Sequence, residues 1–524
     1  MRLLATAFAL AVLSSSVTLA SPVVSATQDQ TVHPALIRND ENSLVRIRIN
    51  SLEKAVFVHS VTFSLEGTTD PGDVDSLAVY STGENDGFST AVGFGDRTAA
   101  AKTVTVRGNL RLNKGKNVLW LSCRLKAGAS LSHKVSAVCT EIATSEGPIR
   151  PGNETPGITH RIGVALRKHF DDGVHTHRIA VIATTPKGTL LCAYDMRRRS
   201  SKDLQEDIDI GLLRSTDGGQ TWEAQRVIMD MGEYGGLPQE QNGCSDPGIV
   251  VDPKTGEVFV AAVWTLGRPG THQWDKTGSE AGFEIGKTAQ FLMVRSKDDG
   301  KSWSQPENLT RKLKQKDWIL FAPSPQQGIA LADGTLIMPG QGRDEQDRHF
   351  SNLMISKDHG NTWSLSNAAS YDNTECQAAV LGDGSILLNC RTESPTKFRT
   401  LAVTKDLGKT WTPHPLNRKG LIEPNCNGST IRFNYKEGGQ DKHLLLFANP
   451  YSQKARENHS IRVSFDDGAT WPEEHRILLD AGNGRGYPSL TQIDETHLGI
   501  VYEGSRADLS FESLSLDELL GRAD

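Results

Sequence analysis

The residues best equipped for chemistry fall in a few short stretches of the chain. "HTHRIAV" holds Arg178, and "RRRSSKDLQEDID" follows it with Arg197, Arg198, Arg199, Asp203, Asp207 and Asp209. "NTECQAAVLGDGSILLNCRTE" holds Glu375 and, sixteen residues later, Arg391. "KARENH" holds Arg456, and "GYPSLTQIDETHLGIVYEG" holds Tyr487 and Glu503. Arginine presents a planar fork of donors that matches a carboxylate, and it stays charged. Carboxylates and a tyrosine hydroxyl can move protons or attack an electrophile. Other chemistries find no support. His175 and His177 lack a third ligand at metal spacing, and there is no H-E-x-x-H, EF-hand loop or CxxC pair. The Gly-rich "GNGRG" at 482–486 precedes no helical pattern, which argues against a phosphate loop.

Something must hold these residues together. Five near-copies of one eight-residue turn run through the same region: "STDGGQTW" from Ser215, "SKDDGKSW" from Ser296, "SKDHGNTW" from Ser356, "TKDLGKTW" from Thr404 and "SFDDGATW" from Ser464. Each follows a short apolar strand, such as "IDIGLLRS" or "AQFLMVRS". Repeats about 50–60 residues apart, each several strands long, predict β-propeller blades. The region of about 365 residues accommodates six, one of them without the turn or closed by both chain ends. Asp and Gly suit a tight hairpin, and the terminal Trp suits packing in the blade. The repeated turn is therefore read as structural, with the chemistry outside it. The fold class is all-β: a six-bladed β-propeller over 156–524, preceded by a β-sandwich over 28–155.

The sandwich is read from alternating strands such as "LVRIRIN" and "KTVTVRGNL", and "SEGPIRPGNETPG" (Ser145–Gly157) reads as a linker. Residues 1–26 carry Arg2, an apolar run from Leu3 to Leu13 and then small residues, the pattern of a secretory signal cut after Ala20 or Ala26. An eleven-residue run is too short to span a bilayer, so a secreted or periplasmic protein without an integral membrane segment is expected. A net charge of −6 argues against nucleic acid as a partner. The seven cysteines are too sparse for a disulfide scaffold, and Cys376 and Cys390 read as cross-strand neighbours.

The eight-residue turn resembles the Asp box of sialidases and several other propeller proteins, and the residues outside it choose among them. Arg178-Ile179-Ala180 resembles the sialidase R-I-P strand, with Ala180 in place of the proline. The stretches around Glu375 and Arg391, Arg456, and Tyr487 with Glu503 resemble the family's later motifs in order. The likeness covers roughly 175–515, and the first part is similar to an accessory domain found before the propeller in some bacterial sialidases.

The resemblance implies an exo-sialidase acting on sialylated glycoconjugates. Arg178, Arg391 and Arg456 would grip the sugar's carboxylate, and Glu503 would hold Arg178. Tyr487 would attack, since a neutral phenol avoids the repulsion an anionic nucleophile would meet there, with Glu375 as its base. Asp203 is the expected acid, with Asp207 and Asp209 as rivals. Arg197 matches a further arginine, with Arg198 and Arg199 as rivals. Asp246 is expected in the N-acetyl pocket, with Trp264 or Trp274 as an apolar wall. Neither a metal nor another cofactor is needed, and a monomer is expected. Rival readings are a trans-sialidase, an intramolecular trans-sialidase, a non-catalytic glycan-binding propeller, and a glycosidase for neutral polysaccharides.

Overall fold

A computed structural model describes residues 23–53, 55–154, 157–265 and 278–522. Most of the expected leader, and Trp274, lie outside them. Val24 is already in a strand: Val24–Asp29 runs antiparallel to Asn42–Ser51, with Val24 opposite Ser51. The sandwich thus starts four residues before the expected Gln28. A cut after Ala20 would leave that strand whole, whereas one after Ala26 would remove half of it.

The sandwich has one sheet of six strands and one of four. Alternate residues face inward, as Val45, Ile47 and Ile49 do on one strand and Val61 and Phe63 on another. Two expectations need correction. The linker at Ser145–Gly157 contains two short strands, Gly147–Ile149 and Gly152–Asn153, because their backbones pair with Val138–Thr144 and Val24–Asp29. The sandwich is also not a separate unit. Its segments Ala35–Ile37 and Lys134–Ser136 both pair with Thr159–Arg167 of the second part.

Six further sheets follow, numbered here I to VI. Their first strands are Thr176–Thr184 (I), Cys244–Val251 (II), Leu320–Pro323 with Ile329–Ala330 (III), Asn373–Val380 (IV), Ser429–Glu437 (V) and Pro488–Gln492 (VI). These strands pack on one another in sequence, and that of sheet VI returns to that of sheet I. Sheet VI takes its fourth strand, Thr159–Arg167, from the other end of the region, so both ends of the region close the ring. It is the sheet that lacks the repeated turn.

Successive antiparallel strands fix two rims. Each first strand begins at one rim, each second strand returns to it, and each third strand ends at the opposite rim, in sheets I to V in the repeated turn. The five turns share one bonding pattern. In the first, Ser215 Oγ donates to Asp217 Oδ1 (2.8 Å) and accepts from Gly219 N (3.0 Å). Asp217 also accepts from Thr221 N (2.9 Å) and Thr221 Oγ1 (2.6 Å), and Trp222 Nε1 donates to Gly219 O (2.9 Å). Trp222 then meets Phe511 of sheet VI edge to face, tying adjacent sheets. Trp411 departs from the pattern by donating to Asn367 O (3.1 Å) of sheet III's outer segment.

Gly188 and Gly219 both have positive φ, +77° and +92°. A Cβ at Gly188 meets nothing, whereas one at Gly219 would overlap the Phe511 ring. Gly188→Ala should therefore cost about 1–2 kcal/mol for the left-handed backbone alone. Gly219→Ala should cost about 2 kcal/mol more, for overpacking at the sheet joint. Thermal unfolding of the two variants checks this, and equal shifts in Tm would contradict it.

Candidate active site

Arg178, Asp203, Asp246, Glu375, Arg391, Arg456, Tyr487 and Glu503 stand at one rim, where first strands begin and second strands end. Arg178, Glu375 and Asp246 occupy first strands within two residues of their starts, and each marks an irregularity in pairing. The register with the second strand shifts between Arg178 and Val181, between Ser245 and Gly248, and between Asn373 and Cys376. Such bulges turn a side chain out of the regular alternation. Ile179 (φ 54°) and Asp246 (φ 58°) are left-handed there. For a β-branched residue such as Ile179 that backbone is strained.

Glu503 stabilises the strained turn. It follows the second strand of sheet VI and is 1% exposed. Its carboxylate accepts from Arg178 Nε (3.1 Å) and Nη2 (3.0 Å), Ile179 N (2.7 Å) and Tyr487 N (3.4 Å). Burial works against the Arg178 charge, but Glu503 more than restores it, so the guanidinium remains ionised.

The centre of the cavity is a three-residue cluster. The Tyr487 hydroxyl donates to Glu375 Oε1. Arg391 Nη1 donates to Glu375 Oε2 (2.9 Å) and to Tyr487 Oη (2.8 Å), and its Nε to Asn425 Oδ1 (2.9 Å). Arg456 is held by the carbonyls of Arg485 (2.8 Å) and Asn425 (3.3 Å). The Arg178 and Arg456 guanidinium carbons lie 5.2 and 5.6 Å from the Tyr487 ring centroid. Burial and Glu375 push the Tyr487 phenol well above its ordinary value, against the pull of Arg391 and Arg456. The resting hydroxyl is therefore protonated, with a carboxylate in place to receive its proton.

Across a cavity of about 250 Å³ stands Asp203. Its Oδ1 is 2.5 Å from Arg197 Nη1 and 3.7 Å from Arg178 Nη1. The rival residues go elsewhere. Asp207 accepts from Gln239 Nε2 (3.2 Å) and lies 3.7 Å from Arg199. Asp209 sits in the third strand of sheet I and accepts from Arg198 Nε (2.8 Å) and Nη2 (2.6 Å). Arg197, 1% exposed, lies behind Asp203 and does not line the cavity.

Asp246 lines the same cavity. Burial, then Asp195, Glu375 and Asp203, push its carboxyl well above the usual range. Trp264 does not form a wall. It is fully buried between sheets I and II, and its Nε1 donates to Asn242 Oδ1 (2.5 Å). Four residues at the site were not foreseen: Asn425, Gln341, and the pair His349 Nδ1 and Glu393 Oε1 at 2.6 Å. Asp195, beneath Arg197, was also missed, although a charged residue two positions from an arginine in the apolar "LLCAYDMR" was a usable signal. Cys376 and Cys390 are cross-strand partners, both as free thiols.

A larger cavity of about 990 Å³ opens at the opposite rim, between Thr184, Val251, Val380 and Gln492. Among the described residues that line it, Arg432 is the only guanidinium, and none form an acid–base pair matching Tyr487 and Glu375. One grouping of metal-type ligands occurs among the described residues, Asp70, Asp73 and His133, on the sandwich. His133 Nδ1 is 2.6 Å from Asp73 there.

Comparison with known proteins agrees with this architecture. The family model for the BNR repeat-like domain matches residues 188–500, and that for the N-terminal domain of BNR-repeat neuraminidase matches 24–148. The chain is 38% identical to a sialidase of Bacteroides fragilis (strain YCH46), over 96% of its own length and 97% of the relative's. It is 30% identical to a sialidase of Micromonospora viridifaciens, over 72% of its own length and 57% of the relative's. Among solved structures it is similar to the Hadza microbial sialidase Hz136, with TM-score 0.88 and 33% identity over 94% of this chain and 99% of that one. The Trypanosoma rangeli sialidase in complex with sialic acid shares the fold, with TM-score 0.57 and 20% identity over 69% and 60% of the two chains.

The buried Asp209 sets a pH dependence. Burial, opposed by Arg198, pushes its carboxyl up from 3.8 to about 6. A folded value above the unfolded one gives stability that is complete below about 3.8 and lost as pH rises through about 6. Asp209→Asn removes that loss. The stability of the variant relative to the parent should rise by on the order of 2–3 kcal/mol between about pH 4 and 7.5. Thermal unfolding across that range checks it, and a difference independent of pH would contradict it.

Proposed function

The chain belongs to the BNR-repeat sialidase family, and from that premise we propose that it is a retaining exo-α-sialidase working through a covalent tyrosyl–sialyl intermediate. Its substrates are terminal α-linked sialic acids of glycoproteins, glycolipids or oligosaccharides. One observation carries the reading: the Tyr487 hydroxyl donates to Glu375 while touching Arg391, with Arg178 and Arg456 about its ring.

Each residue then has a step. The three guanidiniums bind the sugar carboxylate. Glu375 takes the phenolic proton as Tyr487 Oη attacks the anomeric carbon, and the bond to the leaving oxygen breaks. Asp203 supplies a proton to that oxygen. In the second half Asp203 takes a proton from water, the water oxygen attacks the same carbon, and Tyr487 leaves and recovers its proton from Glu375. Two displacements at one carbon give net retention. Glu503 keeps Arg178 in register, and Asp246 faces the acetamido group. These steps use side chains alone. The segment Leu3–Leu13 supports export to the periplasm or the medium, and a monomer suffices for every step.

Hydrolysis of an aryl α-sialoside by the purified protein and by Tyr487→Phe tests the reading. The variant should lose roughly 10³-fold or more in kcat with its circular dichroism unchanged. In the parent protein, 2,3-difluorosialic acid should lose its anomeric fluoride and add one 3-fluorosialyl mass to the peptide containing Tyr487, and the first sugar released from a sialoside should be the α anomer. Full activity in Tyr487→Phe, or a β anomer released first, would overturn the mechanism.

A further inference from the structure

We propose that Asp195 is a positioning residue for proton transfer, acting on Asp203 through Arg197 and on Asp246 through its backbone. The proposal rests on the reading of Asp203 as the acid.

Asp195 lies in the second strand of sheet I, fully buried and outside the cavity lining. Its Oδ2 accepts from Arg197 Nε (3.3 Å) and Nη2 (3.0 Å) and from Ser245 Oγ (2.6 Å). Its Oδ1 accepts from Asp246 N (3.1 Å). One carboxylate thus joins two sheets at the point where sheet II's first strand bulges. Arg197 has one edge committed to Asp195. Its remaining nitrogen, Nη1, reaches the loop, donating to Ser201 O (3.0 Å) and standing 2.5 Å from Asp203 Oδ1.

Two consequences follow from this geometry. First, the planar guanidinium cannot rotate, so Arg197 meets the loop of Asp203 from a fixed direction. A small displacement of a reacting group is costly to the rate. Second, the charge on Arg197 is shared. An acid must carry a proton when the leaving oxygen needs one. An arginine with no other counter-charge would turn its whole charge on Asp203, and Asp195 supplies that counter-charge from inside the protein. A buried ion pair with a purely structural purpose could be replaced by apolar residues at little cost. This one has its bonds directed at two residues of the cavity.

The test uses two substrates that differ in their need for a proton. An aryl sialoside releases a stabilised phenolate, whereas sialyl-lactose releases a sugar alkoxide. Asp203→Asn serves as the reference and should lose far more kcat/KM on sialyl-lactose than on the aryl sialoside. Asp195→Asn should show the same bias, with a loss roughly 10-fold or more greater on sialyl-lactose. Ser245→Ala removes one bond to Asp195 and should show a smaller bias in the same direction. Equal losses on both substrates in Asp195→Asn, or no loss, would overturn the proposal. Should Asp195→Asn fail to fold by circular dichroism, the absence of any bias in Ser245→Ala would overturn it. An unbiased Asp203→Asn would instead reject the acid assignment itself, a distinguishable outcome.

Discussion

Buried guanidinium groups repel one another, and the cavity depends on how each is held before any ligand arrives. Arg178 is held by Glu503, Arg391 by Glu375 and Arg197 by Asp195. Among the described residues Arg456 pairs with no carboxylate, and it rests on two backbone carbonyls. A buried charge without a partner is costly, and a buried pair is tolerable only with good geometry and further hydrogen bonds. The pairs here meet that condition because their members sit at strand ends. The donors not used by a partner are then left for the cavity.

The same pairing makes the ring and the site interdependent. Arg178 belongs to the first sheet and Glu503 to the last, 325 residues away. Their contact crosses the joint where the ring closes. The fourth strand of the last sheet is Thr159–Arg167, and this strand also carries the two segments lent by the sandwich. The sandwich therefore braces the sheet that positions Tyr487 and Glu503. The repeated turns stand at the opposite rim, where their short bonds and tryptophans join sheets without approaching the cavity.

What was legible in the sequence follows from how local each interaction is. The repeated turn closes its bonds within eight residues, so its letters reveal it, and with it the succession of sheets. Arg178, Glu375, Arg391, Arg456, Tyr487 and Glu503 could be named because their types and order resemble those of a family, and the structure brings all six to one rim. The bulges at Arg178, Asp246 and Glu375 left no local trace, since a bulge is defined by a partner strand. Trp264 was misread for a related reason. Its position beside the motif suggested a wall, but its burial depends on Tyr234 and Asn242 in a loop twenty or more residues earlier. The strands within Ser145–Gly157 were hidden because proline and glycine mark a turn whether or not the backbone beside them is paired. The start of the sandwich at Val24 depends on a partner at Ser51 that no leader pattern records.

On the proposed reaction, the charge balance also determines when the nucleophile forms. Two opposing influences from the protein act on Tyr487: burial and Glu375 keep the proton on, while Arg391 and Arg456 favour its loss. A bound sugar carboxylate neutralises part of the second influence. The phenol then becomes a weaker acid as the substrate arrives, and it cannot ionise ahead of the reaction. Its proton must leave as the bond to carbon forms, toward an acceptor already in contact with it. Glu375 is that acceptor, and Arg391 donates to both oxygens between which the proton moves. The arginine that binds the substrate therefore also stabilises each end of the transfer, which accounts for its place between the base and the nucleophile.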